Sequence, residues 1–284
     1  LNKFLKPFGL WFPVDVSTSS RATIGGMAGN NSCGGRSLKY GMMRDNVLSL
    51  DAILNDGREY TFGDIDIDDF QKNSNLNIFN TNIFKLYEQV KKNKKLILNN
   101  FPKVLRRVAG YNIDALLPDA MSYRPNGRKG DGINLSHLIV GSEGTLGYFT
   151  KIKLKLSSLP NKKVMGVCHF PSFYESMDVT QHLVKLNPIS VELIDNTMIK
   201  LAKDIQIFKQ TVEDFVKGNP AALLVIEFAE KNQNENEKKL FLLEKLMKNL
   251  GYDWNNKKNS GGVIKIVNAT DQSRITEMRK SGLN

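Results

Sequence analysis

Residues 20–41, SRATIGGMAGNNSCGGRSLKYG, hold six glycines (Gly25, Gly26, Gly29, Gly34, Gly35, Gly41) in 22 positions, with Ala22, Ala28, Asn30, Asn31, Ser32 and Ser37 between them. Side chains this small bury little apolar area. They do let backbone N–H groups approach something bulky and let the chain enter positive φ. Two readings are open: a surface loop rich in turn residues, or a close backbone approach to a phosphate-bearing cofactor. The familiar phosphate loops do not match. Gly29 and Gly34 have Walker A spacing, but Gly35 stands where the lysine belongs, and no G-x-G-x-x-G follows a strand. A phosphorylated ligand would be held another way.

A chain of 284 residues is long enough for two domains and a sizeable core, and 24% charged with 41% hydrophobic residues is an ordinary globular mix. The net charge of +11 is high. Its densest run, residues 85–103 with Lys91, Lys92, Lys94 and Lys95, mixes lysine with asparagine on a solvated helix face rather than with interleaved aromatics. Attraction of anionic substrates or of a lipid surface is favoured over nucleic acid. Cys33 and Cys168 are too few for a disulfide framework and lack metal-ligand spacing, which places the chain in a reducing compartment, the cytoplasm. His137, His169 and His182 lie far apart, and no metal site is assembled from them. No 18-residue apolar run and no signal peptide are read. Starting at Leu1 and stopping at Asn284 within a helical pattern, the chain reads as a piece of something longer.

Along the chain, residues 47–62 read as a β-hairpin around Asn55-Asp56-Gly57. Residues 64–82 are polar and read as a loop, and Ile83, Leu86, Tyr87 and Val90 share one helical face. Residues 121–132 are a polar excursion. In LIVGSEGTLGYFTKIKLKL (138–156), Gly141, Gly144 and Gly147 recur every third residue. Ile152, Leu154 and Leu156 then alternate with Lys151, Lys153 and Lys155, as in a half-buried strand. After Pro160 the order strand, helix, strand, helix, strand, helix, strand, helix approximates the split β-α-β-β-α-β unit. That half carries no obvious catalytic cluster and reads as a cap that shapes a site.

FPVDVSTSSRATIGGMAGNNSCGGRSLKYG, the hairpin ending LNDGREYTFG, and LIVGSEGTLGYFTKIKLKL, in that order, resemble the FAD-linked oxidases of the vanillyl-alcohol-oxidase (PCMH) type. Within that family the details are similar to bacterial D-lactate and D-2-hydroxyglutarate dehydrogenases of the long form with an iron–sulfur tail, and to glycolate oxidase. RRVAGYNIDALLP, NPISVELIDNTMI, LLVIEFAE and EMRKSGL carry the resemblance over essentially the whole chain. It implies an α+β fold: a PCMH-type FAD-binding domain, incomplete at its N-terminus, over residues 1–160, then a ferredoxin-like cap or substrate domain, incomplete at its C-terminus, over 161–284.

The resemblance further implies that Pro13, Asp15 and Ser17 line the approach to the flavin. Thr23, Ile24, Gly25, Gly26, Ala28, Asn30, Asn31, Ser32 and Gly34 would wrap the cofactor, and Glu143, Gly144, Thr145, Leu146 and Gly147 would form a second FAD segment. Arg279 would grip a substrate carboxylate, with a helix-surface arginine as the plain alternative. No catalytic base and no metal ligand are assigned. The family's pyrophosphate loop is expected upstream of Leu1, and the divalent-metal site and iron–sulfur cluster downstream of Asn284, since no C-x₂-C-x₂-C spacing is present. The expected activity is oxidation of a D-2-hydroxy acid to the 2-oxo acid with hydride transfer to flavin N5. Electrons would leave to a downstream iron–sulfur domain, a quinone or a flavoprotein. Peripheral contact with the inner membrane is an alternative location. One rival keeps the flavin but oxidises an alcohol, sugar or lipid ether; another is a basic binding module without catalysis.

Overall fold

In the computed structural model, residues 1–73, 76–117, 133–256 and 261–281 are described. The polar excursion at 121–132 lies outside them. Two compact units are formed, Leu1–Ser158 and Leu159–Asn284.

The first unit is built on a three-stranded antiparallel sheet. Strand β1 (Val47–Ile53) lies between β2 (Glu59–Phe62) and β3 (Tyr148–Leu154), with Leu50 opposite both Phe62 and Ile152. The hairpin closes as the Asn-Asp-Gly sequence requires: Gly57 takes φ +76° and Asp56 Oδ1 accepts the Arg58 N–H. Alternation along β3 turns Ile152 and Leu154 onto the core and leaves Lys151 and Lys153 exposed, Lys151 pairing with Asp51 across the sheet. Leu50, Ala52 and Phe62 pack with Ile97, Leu116, Leu117, Ile133, Leu135 and Ile139 into one core. Helix α1 (Ile24–Gly29) is one and a half turns long and buries Met27 and Ala28.

Residues 64–82 are not the loop expected. Ile67–Lys72 is helical, and helix α2 (Ile78–Lys92) starts five residues before the apolar periodicity becomes visible. Side-chain caps explain the difference. Asp66 accepts the N–H groups of Asp68 and Asp69, and Asn77 Oδ1 accepts that of Asn80, so polar residues start both helices.

The second unit has four antiparallel strands, β4 (Val164–Phe170), β5 (Ser190–Asp195), β6 (Ala222–Phe228) and β7 (Gly262–Ile266), in the order β7-β4-β6-β5. This is the split β-α-β-β-α-β arrangement. Of the helices of that unit, α3 (Phe173–Leu183) and α6 (Gln233–Asn249) cover one face through Val179, Leu183, Leu240, Leu243 and Met247. The other face is also covered, by α4 (Asn196–Asp204), α5 (Gln206–Phe215) and α7 (Ala269–Ser281). That explains why every residue of β4 and β6 is buried and why both read as continuous apolar runs rather than alternating ones. Helix α5 has no counterpart in the sequence reading, although Phe208, Thr211, Val212 and Phe215 fall at helical spacing and are all buried.

Candidate functional site

The two glycine segments meet in the first unit. The Gly141 N–H donates to Ala28 O and the Glu143 N–H to Gly29 O, each at 2.9 Å, so main chain joins main chain. A cavity of about 580 Å³ opens between them, lined by Thr23, Gly25, Gly26, Gly29 and Asn30 from one segment and by Glu143, Gly144, Gly147, Tyr148 and Phe149 from the other. That is within the usual range for a cofactor-sized site.

The backbone is bent to make this junction. Asn31 (φ +45°), Glu143 (φ +52°), Gly141 (φ +89°) and Gly144 (φ +78°) all lie in the left-handed region, and two non-glycine residues there mark a site whose surroundings enforce the conformation. Beneath it lies a buried polar clamp. Asn112 Oδ1 accepts from Arg44 Nη1 (2.9 Å) and Arg107 Nη2 (3.3 Å), and its Nδ2 donates to Val140 O (2.9 Å) and His137 O (3.2 Å). Arg107 also pairs with Asp114, and the Arg44 N–H donates to Asn31 Oδ1 at 3.0 Å. The clamp thus ties residues 31, 44, 107–114 and 137–141 together.

Most other expected residues fall around the crevice rather than on its wall, and the wall residues Thr23 and Asn30 are held by local bonds. Ala28 is fully buried and contributes its carbonyl. Ile24 packs on the core, and Thr23 caps α1 by accepting the Gly26 N–H on Oγ1. Asn30 Nδ2 donates to Ser32 Oγ. Pro13 is buried and Ser17 exposed. Asp15 Oδ1 accepts the Arg36 N–H, and a Cβ at Gly34 would sit 1.7 Å from Asp15 O, so this glycine is demanded by a backbone crossing. Thr145 and Leu146 line a neighbouring cavity instead. Gly29, Tyr148 and Phe149 were missed as wall residues; Phe149 lies at the start of β3, where its alternation reads as strand alone.

The crevice fits a large ligand with polar atoms. Cβ positions built on Gly25, Gly29 and Gly144 meet nothing, so these glycines leave backbone facing open space. Asn31 Nδ2 and Ser142 Oγ, both buried, have no hydrogen-bond partner among the described residues. Cys33, half-buried in the same loop, has its thiol pKa raised, chiefly by burial, with Arg106 opposing and Asp15 adding. It therefore stays protonated and is no ready nucleophile. Among the described residues no three His, Cys, Asp or Glu side chains group to hold a metal, and no helix is long and apolar enough to cross a membrane.

In the second unit, Arg279 on α7 is ion-paired: Nη1 lies 3.1 Å from Glu192 Oε2 on β5, both side chains about four-fifths buried.

Residues 1–63 match the FAD binding domain, and residues 159–284 match the C-terminal domain of FAD linked oxidases. The chain is 31% identical over 242 residues to D-2-hydroxyglutarate dehydrogenase of Escherichia coli (strain K12), covering 81% of this chain and 22% of that protein. It is 28% identical over 254 residues to the enzyme of that name from Haemophilus influenzae (87% and 24%), and 26% identical over 198 residues to D-lactate dehydrogenase of Archaeoglobus fulgidus (69% and 31%). It thus spans between a fifth and a third of the length of these relatives. A solved structure of alkyldihydroxyacetonephosphate synthase superimposes with a TM-score of 0.59 at 15% identity, over 99% of this chain and 40% of that one, which shows a shared fold. With two domains of one flavoprotein family matched in order, the chain carries a PCMH-type FAD-binding domain followed by the C-terminal domain of the FAD linked oxidases, and belongs with that family.

Proposed function

We propose that the chain is part of an FAD-dependent dehydrogenase that oxidises a D-2-hydroxy acid to the 2-oxo acid. The observation that carries this reading is the main-chain junction of the two glycine segments, Gly141 to Ala28 and Glu143 to Gly29, around one 580 Å³ crevice. The relatives named for D-2-hydroxyglutarate and D-lactate supply the substrate class.

In this reading Gly25, Gly26, Gly29, Asn30, Glu143, Gly144 and Gly147 hold the cofactor through backbone groups. Bound FAD supplies an acceptor for two electrons and the hydrogen on the substrate Cα. Tyr148 and Phe149 exclude water from one wall. Arg279 orients the substrate carboxylate, its guanidinium held ready by Glu192. The substrate hydroxyl proton goes to a base that is not assigned to any described residue. Electrons pass on to an acceptor distinct from the hydroxy acid.

The test is titration of the chain with FAD, followed by anaerobic addition of D-2-hydroxyglutarate or D-lactate. Saturable quenching of flavin fluorescence, weakened at least tenfold by Gly29→Val, is expected, with bleaching of the flavin absorbance by one of the two acids. Absence of saturable flavin binding in both the chain and its full-length source would refute the reading.

A further inference from the structure

Glu143 (φ +52°) and Gly144 (φ +78°) are consecutive residues in the left-handed region, and with Gly147 they form part of the crevice wall. A non-glycine residue there persists only where its surroundings impose the conformation. Both ends of this turn are imposed by main chain. At its start the Glu143 N–H is bonded to Gly29 O, and at its end a Cβ on Gly147 would lie 2.9 Å from Ile53 O, so the chain there runs tight against β1.

The apex is held differently. Thr145 and Leu146 belong to the wall of the neighbouring cavity and not to that of the crevice. The Thr145 N–H closes the turn on Ser142 O at 2.9 Å, and Thr145 Oγ1 donates to the same carbonyl at 2.6 Å. A threonine hydroxyl has one proton, so in the 2.8 Å contact between Tyr111 Oη and Thr145 Oγ1 the tyrosine is the donor. Among the described residues this is the one hydrogen bond that joins residues 144–146 to another segment. Tyr111 is anchored through its neighbour. Asn112, 1% exposed, is bonded to Arg44, to Arg107 and to the carbonyls of residues 137 and 140. The buried clamp thus reaches the apex of the turn through a single phenol.

We propose that Tyr111 is a positioning residue for the crevice: through Thr145 it fixes the 143–147 turn in the shape that presents Glu143, Gly144 and Gly147 to a ligand. The hydroxyl of Thr145 is committed to this strut and holds the wall from behind. That the ligand is a flavin rests on the reading above; the strut itself does not.

Amide hydrogen exchange of the chain without ligand tests the strut, and fluorescence titration with FAD tests its consequence. Tyr111→Phe should speed exchange of residues 143–147 about fivefold, the scale of one lost hydrogen bond, while exchange in β1 and α2 stays as in the parent. Thr145→Ser keeps the hydroxyl and should keep the protection. Thr145→Val should lose it, and adding Tyr111→Phe to Thr145→Val should change nothing further. FAD affinity should fall about fivefold in Tyr111→Phe and stay within about twofold of the parent in Thr145→Ser. Unchanged exchange in Tyr111→Phe, an equal rise throughout the first unit, or additive effects in the double variant would each overturn the proposal. So would faster exchange with undiminished FAD affinity. A parent chain that binds no FAD would remove the flavin reading alone, and the exchange results would then decide on the strut.

Discussion

Replacing Asn112 by alanine should loosen the whole floor of the crevice between the two glycine segments. The side chain is 1% exposed and makes four hydrogen bonds, two accepted from guanidinium groups and two donated to backbone carbonyls. A hydrogen bond to a charged group contributes about 1.5–3 kcal/mol and an ordinary one about 1 kcal/mol, with a further penalty when the partner stays buried. Arg107 keeps Asp114 and is discounted; Arg44, Val140 O and His137 O bear the loss, which gives about 4 kcal/mol. For a unit of this size each kcal/mol lowers the midpoint by roughly 2–4 °C, so a fall of about 8–16 °C is expected. Two units that unfold separately would blur a global probe. The chain has only two tryptophans, Trp11 in the first unit and Trp254 in the second. Fluorotryptophan labelling and ¹⁹F NMR therefore give one resonance per unit. The Trp11 signal should melt early in the variant and the Trp254 signal should not move. A Trp11 midpoint within about 2 °C of the parent, or an equal fall in both signals, would refute the idea that Asn112 pins residues 44, 107 and 137–141 together.

Three further outcomes are expected. Gly34→Ala should cost about 3 kcal/mol or more, because its Cβ falls 1.7 Å from the Asp15 carbonyl and backbone must move; denaturant unfolding checks this, with Gly25→Ala, which meets nothing, as the near-neutral control. His169, buried on β4 with Nε2 accepting the Lys217 N–H at 3.0 Å, has its pKa lowered to about 4, first by burial. Its folded pKa lies below the unfolded value near 6.5, so its contribution is complete above about pH 6.5 and fades by about 3 kcal/mol as pH falls to about 4. Urea midpoints of the Trp254 signal at pH 7.5 and 4.5 should therefore converge in His169→Asn relative to the parent, and an unchanged pH dependence would count against this. Arg279→Met should weaken a carboxylate substrate by about 2–5 kcal/mol in kcat/KM while leaving flavin affinity unchanged; equal turnover of a D-2-hydroxy acid by both forms would remove Arg279 from the site.

Much of this architecture is legible in local chemistry. Asn55-Asp56-Gly57 admits a tight turn, the Ile/Lys alternation of β3 admits one face in and one out, and the four apolar runs after residue 160 order themselves into the sheet found. What stays hidden is of two kinds. Short polar helix starts, at Asp66 and Asn77, look like loop because their stability comes from side-chain caps rather than apolar periodicity. Contacts between distant residues leave no local mark either. Arg44 and Asn112 are separated by 68 positions, and nothing in RDN or YNID announces their bond. The ion pair of Arg279 with Glu192 spans 87 positions and is invisible for the same reason.

The bonds that close the crevice run from the amides of residues 141 and 143 to the carbonyls of residues 28 and 29. Peptide groups of this kind are supplied by nearly every amino acid. Point mutation rarely deletes them; it can only bend the path of the chain. A crevice closed in this way can survive extensive drift of its ornamentation, which agrees with relatives that share under a third of their residues with this chain.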